Sequence, residues 1–284
     1  MTEAVIVLPA APAERPAAAA QPPAWSRWRH WSWGALSLAA CVLLWHGLST
    51  AHVRTAWITF ANVPTPLEVA RAGVDLLTSP KLLHHVLWSL WRIAAGFVAA
   101  AAFGVGLGLL IGRFGWAERL LLPPLEVLRP VPAVAWIPLA ILMFPSSEVS
   151  MIFVTFTGAV FPILLNTIHG VEGVDRRLVA SARSLGARGW AVFSQVILPS
   201  AAPSIATGLA IGMGTCWFCL VSAEMISGQF GIGYFTWESY TLQNYPGIVV
   251  GMLWIGLFGM GSSALIRLAA RRLMPWQALK GEAR

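Results

Sequence analysis

Long apolar runs alternate with short polar segments along most of this chain. A helix that crosses a bilayer needs about 20 consecutive, mostly apolar residues, and six stretches match that pattern. Their predicted bounds are 31–48, 85–112, 120–144, 149–169, 203–226 and 247–269. Because the number of predicted spans is even, both ends of the chain are expected on one side. The pattern therefore predicts an all-α membrane protein with six transmembrane helices.

The predicted membrane domain covers residues 31–274, and the segments outside it are short. Residues 1–30 are rich in Ala and Pro, a composition that predicts a disordered tail. No apolar segment follows a short basic start there, so a cleaved signal peptide is disfavoured. Residues 275–284 form a second predicted tail, and the longest predicted loop inside the domain is 170–202.

The composition agrees with a membrane location. Hydrophobic residues make up 57% of the chain and charged residues only 11%, whereas soluble proteins carry about 25% charged residues. The chain has 15 Trp but only 3 Tyr, and Trp favours the boundary between acyl chains and headgroups. These proportions exclude a soluble enzyme or regulator and imply lipid as a partner.

The positive charges predict the orientation. With a cytoplasmic N-terminus, the segments on that side hold 14 of the 19 Lys and Arg residues. The outer segments hold only Arg54, Arg71 and Lys81, while Arg92 and Arg129 fall within spans. Because Lys and Arg concentrate in cytoplasmic loops, both termini are expected in the cytoplasm. The same distribution explains the formal net charge of +7 without a nucleic-acid partner.

The third predicted span is rich in proline, with Pro130, Pro132 and Pro138 inside it and Pro145 just beyond. Each interior proline removes a backbone hydrogen bond. At membrane depth, freed carbonyl groups are tolerated only under protein cover or beside a water-filled cavity. The segment is therefore either a kinked packing helix or a helix that lines a pathway, and both interpretations stay open.

Residue types that bind metals do not cluster at ligand spacing. Cys216 and Cys219 form a C-x-x-C pair in an apolar run, but no second Cys or His pair completes a zinc site. His84 and His85 lie at the predicted outer membrane–water interface. We predict that the cysteines are packing residues and that the chain binds no metal.

The longest loop has the pattern of two short helices. A helix that starts near Asp175 would place Leu178, Ala182 and Leu185 on one side, and Gly186 would end it. A second helix then carries an apolar face made by Val192, Phe193 and Val196. An exposed apolar stripe of this kind suits the groove of a partner protein. The alternative is a helix that lies on lipid headgroups.

This loop resembles the coupling-loop signature of permease subunits of binding-protein-dependent ABC importers. The resemblance rests on SARSLGA, on a phenylalanine seven residues after its glycine and on the ending LPSAAP. It implies that an ATPase docks on Ala180, Ser181, Ala182, Arg183, Leu185, Gly186, Ala187, Phe193, Leu198, Pro199 and Pro203. The signature usually opens with Glu-Ala-Ala, but Ala180 stands at the position of the glutamate.

Two further segments, LRPVPAVAWIPLAIL from Leu128 and AEMISGQFGIGYF from Ala223, look like the nitrate, sulfonate and taurine branch of these permeases. The likeness covers roughly residues 60–275. It implies a type I ABC importer permease (MetI-like) bundle in a bacterial inner membrane. It further implies a homodimer, two copies of an ABC ATP-binding subunit and a periplasmic solute-binding protein. The expected solute is a small anion.

The chain lacks its own nucleotide-binding motif. A P-loop needs Gly-Lys-Ser/Thr to hold phosphates, and the two lysines, Lys81 and Lys280, have neither neighbour. We therefore predict a transport subunit without enzyme activity and without a bound cofactor. The resemblance implies that the partner ATPase uses ATP and Mg.

Ionisable residues inside predicted spans are functional candidates, because burial of charge in a bilayer is costly. Arg92, Arg129 and Glu224 are candidates for the translocation path. Glu126 lies three residues before Arg129, at a spacing that allows a pair on one helix. Arg92 and Glu224 both fall in the outer half of the membrane and are a second possible pair. Structural pairing and contact with an anion stay open for both arginines.

Three other classes of protein remain alternatives. An ion-coupled secondary transporter would work without an ATPase partner. A membrane enzyme would need catalytic polar groups clustered at one depth, and the sequence shows no such set. A membrane anchor of a larger assembly would not need the helix–Gly–helix loop.

Overall fold

The computed structural model describes residues 24–55 and 57–277, and these are helical with no β-strand beyond one isolated bridge, Arg54 to Thr59. The α-helices are α1 Ala24–Thr50, α2 Pro66–Thr78, α3 Pro80–Arg113, α4 Gly115–Leu128, α5 Ile137–Met143, α6 Ser147–Glu172, α7 Arg176–Ser184, α8 Trp190–Val192, α9 Leu198–Ser227, α10 Ile232–Thr241 and α11 Tyr245–Leu273. Short 3-10 helices, Ala133–Trp136 and Pro275–Gln277, precede α5 and follow α11.

The N-terminal unit ends at Ala61 and contains one long helix. The predicted tail falls mostly outside the described residues, since only 24–30 are described and these belong to α1. The part of α1 from Ser32 to Thr50 is apolar enough to cross a membrane. Of the predicted C-terminal tail, residues 278–284 also lie outside the described part of the chain.

Five of the described helical stretches are long and apolar enough to span a bilayer, and a bent pair would make a sixth. The predicted third span, 120–144, is not one continuous helix, because α4 and the helices from Ala133 to Met143 meet at 82°. The bend lies where Pro130 and Pro132 follow the end of α4. Neither proline has an N–H to continue the α-helical hydrogen bonds, and α4 ends at Leu128 just before them. The remaining spans are continuous.

A stripe of small residues holds α3 against α6. A Cβ atom at Gly96 would lie 2.8 Å from Thr155, and one at Gly104 would lie 3.0 Å from Ile163. Gly108 faces Thr167 in the same way. Each pair is 59 positions apart, so the two helices run parallel in one register. Glycines four residues apart allow this close approach.

The helix α9 runs antiparallel to α6 and packs on a neighbouring face of it. Gly208 would place a Cβ 2.7 Å from Asn166, and Gly212 would place one 2.8 Å from Ile163. Cys219 fills the space beside Gly158, which is the packing role that the sequence predicts for it. These contacts make α6 the central helix of the bundle, between α3 and α9.

The helix α11 closes the bundle against α9. Trp217 Nε1 donates a hydrogen bond to Ser262 Oγ at 2.9 Å, and its ring stacks on Phe258 with centroids 6.0 Å apart. The short helix α10 packs against α9 and α11. We call the side of this bundle that carries residues 173–197 the loop side.

Candidate functional sites

The loop between α6 and α9 has the predicted helix–Gly–helix form. Asp175 caps α7 by accepting a hydrogen bond from the N–H of Arg177. At the other end, the N–H of Gly186 donates to the Arg183 carbonyl and that of Ala187 to the Ala182 carbonyl, both at 3.0 Å. These two bonds form a Schellman motif, which needs a left-handed residue at its turn. Gly186, at φ +89°, provides it.

One face of this loop is fixed to the bundle. Val192 is buried together with Val171, Ile197 and Ala201, and Phe193 packs against that cluster. Residues 193–197 form a π-turn in which the Leu198 N–H donates to the Phe193 carbonyl. A wider turn fits the chain just before Pro199, which has no N–H to continue an α-helix. The predicted apolar face of the second helix therefore points into the protein core.

The opposite face of the loop presents large apolar side chains to the surroundings. Leu185 is 87% exposed, Trp190 is 75% exposed, and Leu178 is also exposed. The cation Arg183 is exposed in the same segment. Aromatic and arginine side chains are enriched where proteins meet other proteins. We call Leu178, Arg183, Leu185 and Trp190 the docking face, because exposed apolar side chains beside a cation suit a partner's groove.

The other predicted docking residues divide between the two faces. Ala180 and Ser181 are exposed, while Ala182 and Ala187 are half-buried. The residues that lead into α9, Leu198, Pro199 and Pro203, are half-buried. Trp190 was not among the predicted residues, although its position next to Gly189, at φ +48°, marks the start of the second helix.

The structure brings Arg92 and Glu224 together in the bundle. Arg92 Nη1 lies 2.8 Å from Glu224 Oε1, and neither side chain has exposed surface. The same guanidinium binds Glu148 through Nε and Nη2, at 2.8 and 2.5 Å, and donates from Nη1 to the Phe230 carbonyl at 2.6 Å. Four of the five N–H donors of this side chain therefore bond to protein groups.

Sequence reasoning missed Glu148 as a partner of Arg92. Glu148 lies in the first turn of α6, after the N-cap Ser146, where the helix dipole favours a negative charge. Its side chain is 41% exposed. The available signal was an acidic residue at the start of a predicted span on the same side as Arg92, since α3 and α6 both begin there.

The cluster also fixes the chain between α9 and α10. Glu224 accepts hydrogen bonds from Ser89 Oγ at 2.8 Å and from the Gly233 N–H at 2.9 Å. Ser89 Oγ accepts from the Ile232 N–H, and His85 Nδ1 accepts from the Gly231 N–H. At Gly231, φ is +128° and a Cβ would collide with the Glu224 carboxylate. Three side chains of α3 and α9 thus bind three successive backbone N–H groups.

Arg129 is not part of this cluster. It is exposed at the C-cap of α4, where the broken span bends. Glu126 is exposed as well, and the described residues show no ion pair between the two. Of the three predicted path residues, the structure therefore leaves only Arg129 accessible.

A cavity of about 510 Å³ lies at the ends of α3 and α10 away from the loop side. Lys81, His84, His85 and Glu238 are among its lining residues. His84 accepts a hydrogen bond from Trp88 Nε1 at 3.0 Å. Within the described residues, no group of three or more His, Cys, Asp or Glu side chains has the geometry of a metal site.

Comparison with a protein-family model gives an extended match. Residues 104–278 match the model described as binding-protein-dependent transport system inner membrane component. The matched part includes the loop with its docking face and all of the helices that surround it, except the first part of α3.

Known proteins give the same result. The chain is 35% identical over 219 residues to the nitrate import permease protein of Leptolyngbya laminosa, covering 74% of this chain and 78% of the relative. It is 38% identical over 220 residues to an aliphatic sulfonates transport permease protein of Escherichia coli (strain K12), covering 78% and 84%.

A solved structure shares the fold. It is a bacterial alginate ABC transporter in complex with an alginate pentasaccharide-bound periplasmic protein, with a TM-score of 0.53. The match covers 89% of this chain and 99% of that chain at 15% identity. The chain therefore belongs to the inner-membrane components of binding-protein-dependent transport systems, as an ABC importer permease similar to the nitrate and sulfonate permeases.

Proposed function

We propose that this permease carries a small oxyanion, of the nitrate or organic sulfonate type, and that a separate ATPase powers it. The single observation that supports a separate ATPase most directly is the docking face on residues 178–190. Leu185 and Trp190 are exposed there, while Val192 and Ile197 on the other face belong to the buried core. A force on the docking face would therefore reach α6 and α9.

The loop side is the cytoplasmic side in this proposal. The loop itself carries Arg176, Arg177, Arg183 and Arg188, and Lys and Arg concentrate in cytoplasmic segments. An ATPase on this side has access to cytoplasmic ATP and Mg. A periplasmic binding protein would then deliver the solute at the opposite ends of the helices.

Two copies of the permease would enclose the path. The bend after α4 leaves an exposed Arg129 between exposed Val127 and Val131. Irregular backbone at membrane depth must be covered by protein or line a water-filled cavity. A second copy placed against this bend would meet that requirement and set Arg129 beside the path, where its charge attracts an anion.

The solute class is supported by the relatives named for nitrate and aliphatic sulfonates and by the charge of Arg129. Arg92 does not contribute to this proposal in the present conformation, because Glu148 and Glu224 neutralise it. Glu224 is also fully buried, so we assign both residues to the structure of the bundle.

Reconstituted transport tests the proposal. The chain is placed in proteoliposomes with an ABC ATPase and a binding protein from the same genome, and uptake of labelled nitrate and of a labelled alkanesulfonate is measured. Uptake of one of these anions only with ATP on the ATPase side is expected. Equal uptake by the chain alone under an ion gradient would instead establish the ion-coupled secondary transporter.

A further inference from the structure

A second cavity lies on the loop side, between the start of α9 and the end of α11. Its volume is about 410 Å³. Its walls are mainly apolar, and two arginines stand at its edge. The lining residues are Pro203, Ala206, Thr207, Ala210, Ile211, Arg267, Ala270, Arg271 and Met274.

The two arginines concentrate positive charge on this cavity. Arg267 and Arg271 are four residues apart on α11, so they share one face of the helix. Both are exposed, and neither forms an ion pair within the described residues. None of the described residues that line the cavity is acidic. Thr207 already donates its hydroxyl to the Pro203 carbonyl, so the donors available to a ligand are those of the arginines.

The length of α11 places the two arginines near the membrane–water interface. The 29 residues of α11 extend about 43 Å at 1.5 Å per residue, which exceeds the hydrocarbon thickness of about 30 Å. The helix therefore emerges from the hydrocarbon at its ends, and Arg267 and Arg271 fall in the last two turns. Basic pockets between transmembrane helices at this level suit lipid phosphates.

An exposed apolar path leads from the cavity toward the middle of the membrane. Ile211 and Phe218 are exposed on α9, and Met260 is exposed on α11. Ile211 lines the cavity, while Phe218, seven residues after it, and Met260, seven residues before Arg267, lie about two turns nearer the bilayer centre. The cavity thus combines two cations at the interface with an apolar surface that continues inward, which matches a headgroup and an acyl chain.

We propose that this cavity binds the phosphate of an anionic phospholipid, with Arg267 and Arg271 as its cationic ligands and the α9–α11 surface as the seat of an acyl chain. A lipid held there contacts α9 and α11 together, close to Pro203 at the entry to α9. A free oxyanion such as inorganic phosphate could bind the arginines in the same way, but it has no acyl chain. Binding experiments can therefore distinguish a phospholipid from a free oxyanion.

Lipid titration of the purified full-length chain in detergent tests this site. Dioleoylphosphatidylglycerol, dioleoylphosphatidylcholine and inorganic phosphate are added separately, and thermal unfolding and lipid retention in native mass spectrometry are recorded. Only phosphatidylglycerol is expected to stabilise the chain and remain bound. The variant R267Q/R271Q is expected to bind it roughly 30-fold more weakly, since each interfacial arginine contributes to the attraction.

The matched control is R272Q, which removes the neighbouring charge on α11 outside the cavity lining and is expected to keep wild-type binding. If R267Q/R271Q does not fold, Ala210→Trp is the second variant: it fills the cavity while both charges remain, and it is expected to lose the bound lipid. Equal losses in R272Q and R267Q/R271Q would overturn the proposal. So would equal stabilisation by phosphatidylcholine, or a full effect of inorganic phosphate alone.

Discussion

Arg92 on α3 and Glu224 on α9 form an ion pair in which both side chains are fully buried, with 2.8 Å between Nη1 and Oε1. Both helices pack against the central helix α6 and also contact each other, and the pair joins them at the ends away from the loop side. Glu148 on α6 binds the same guanidinium. All three core helices therefore meet at one cation.

The first prediction concerns the loss of that cation. Arg92→Gln leaves the buried Glu224 carboxylate without its compensating charge, a change that costs about 3–5 kcal/mol for buried pairs. The variant is expected to unfold at a clearly lower temperature in detergent and to accumulate poorly in membranes. Thermal unfolding of the purified chain measures this.

Glu148→Gln serves as the comparison for this pair. Its side chain is 41% exposed, so water compensates part of the lost interaction and a smaller destabilisation, of about 1 kcal/mol, is expected. If Arg92→Gln were no less stable than Glu148→Gln, the buried pair would not be the element that holds α3 to α9.

A second prediction separates two glycines of α3. Gly108→Ala places a Cβ 2.6 Å from the Cβ of Thr167 and 2.9 Å from the Leu164 carbonyl oxygen. Overpacking of this kind costs about 1–3 kcal/mol. Gly106 has no atom within 4 Å of an added Cβ, so Gly106→Ala is expected to be neutral or stabilising by up to roughly 1 kcal/mol. Equal melting temperatures for the two variants would contradict the parallel α3–α6 register.

A third prediction concerns the docking face. Leu185→Asp puts a charge at the most exposed apolar position of the loop and is expected to abolish ATP-driven uptake and binding of the ATPase. Because Leu185 is 87% exposed, the stability of the isolated chain should stay within about 0.5 kcal/mol of wild type. Co-purification of the ATPase measures docking, and thermal unfolding measures stability.

The control for that variant adds the same charge within α7, which ends just before Leu185. Ala180 is exposed and stands where the family signature usually has glutamate, so Ala180→Glu is expected to retain docking or to strengthen it. A loss of docking in Ala180→Glu as large as that in Leu185→Asp would mean that any negative charge disrupts this surface, and the apolar contact would not be the cause.

The fourth prediction concerns Arg129. Arg129→Gln removes an exposed charge that has no ion-pair partner among the described residues, so the chain should fold and assemble as wild type does. Anion uptake is expected to fall at least tenfold at low solute concentration. A tenfold loss corresponds to about 1.4 kcal/mol of lost attraction between the anion and the path. Arg119→Gln, an exposed arginine near the start of α4, is the matched control. Unchanged uptake in Arg129→Gln would remove this residue from the path.

The sequence alone was enough to identify the family and the helical membrane fold, because both depend on local patterns. Runs of apolar residues indicate where the spans lie, because burying polar side chains in lipid is costly. The loop signature from Ala180 to Pro203 combines a helix-ending glycine with prolines at the next helix, and these act on their own neighbours in the chain. The helix–Gly–helix form of the loop was predictable for that reason.

Only the tertiary structure decided which charges meet and which surfaces are free. Arg92, Glu148 and Glu224 are distant in sequence and come together through the packing of α3, α6 and α9. The spacing of Glu126 and Arg129 permits a pair that the structure does not form. Likewise, the apolar residues of the loop divide between core and surface according to contacts with α6 and α9. Side-chain pairing across helices depends on register and rotation, which a single helix does not encode.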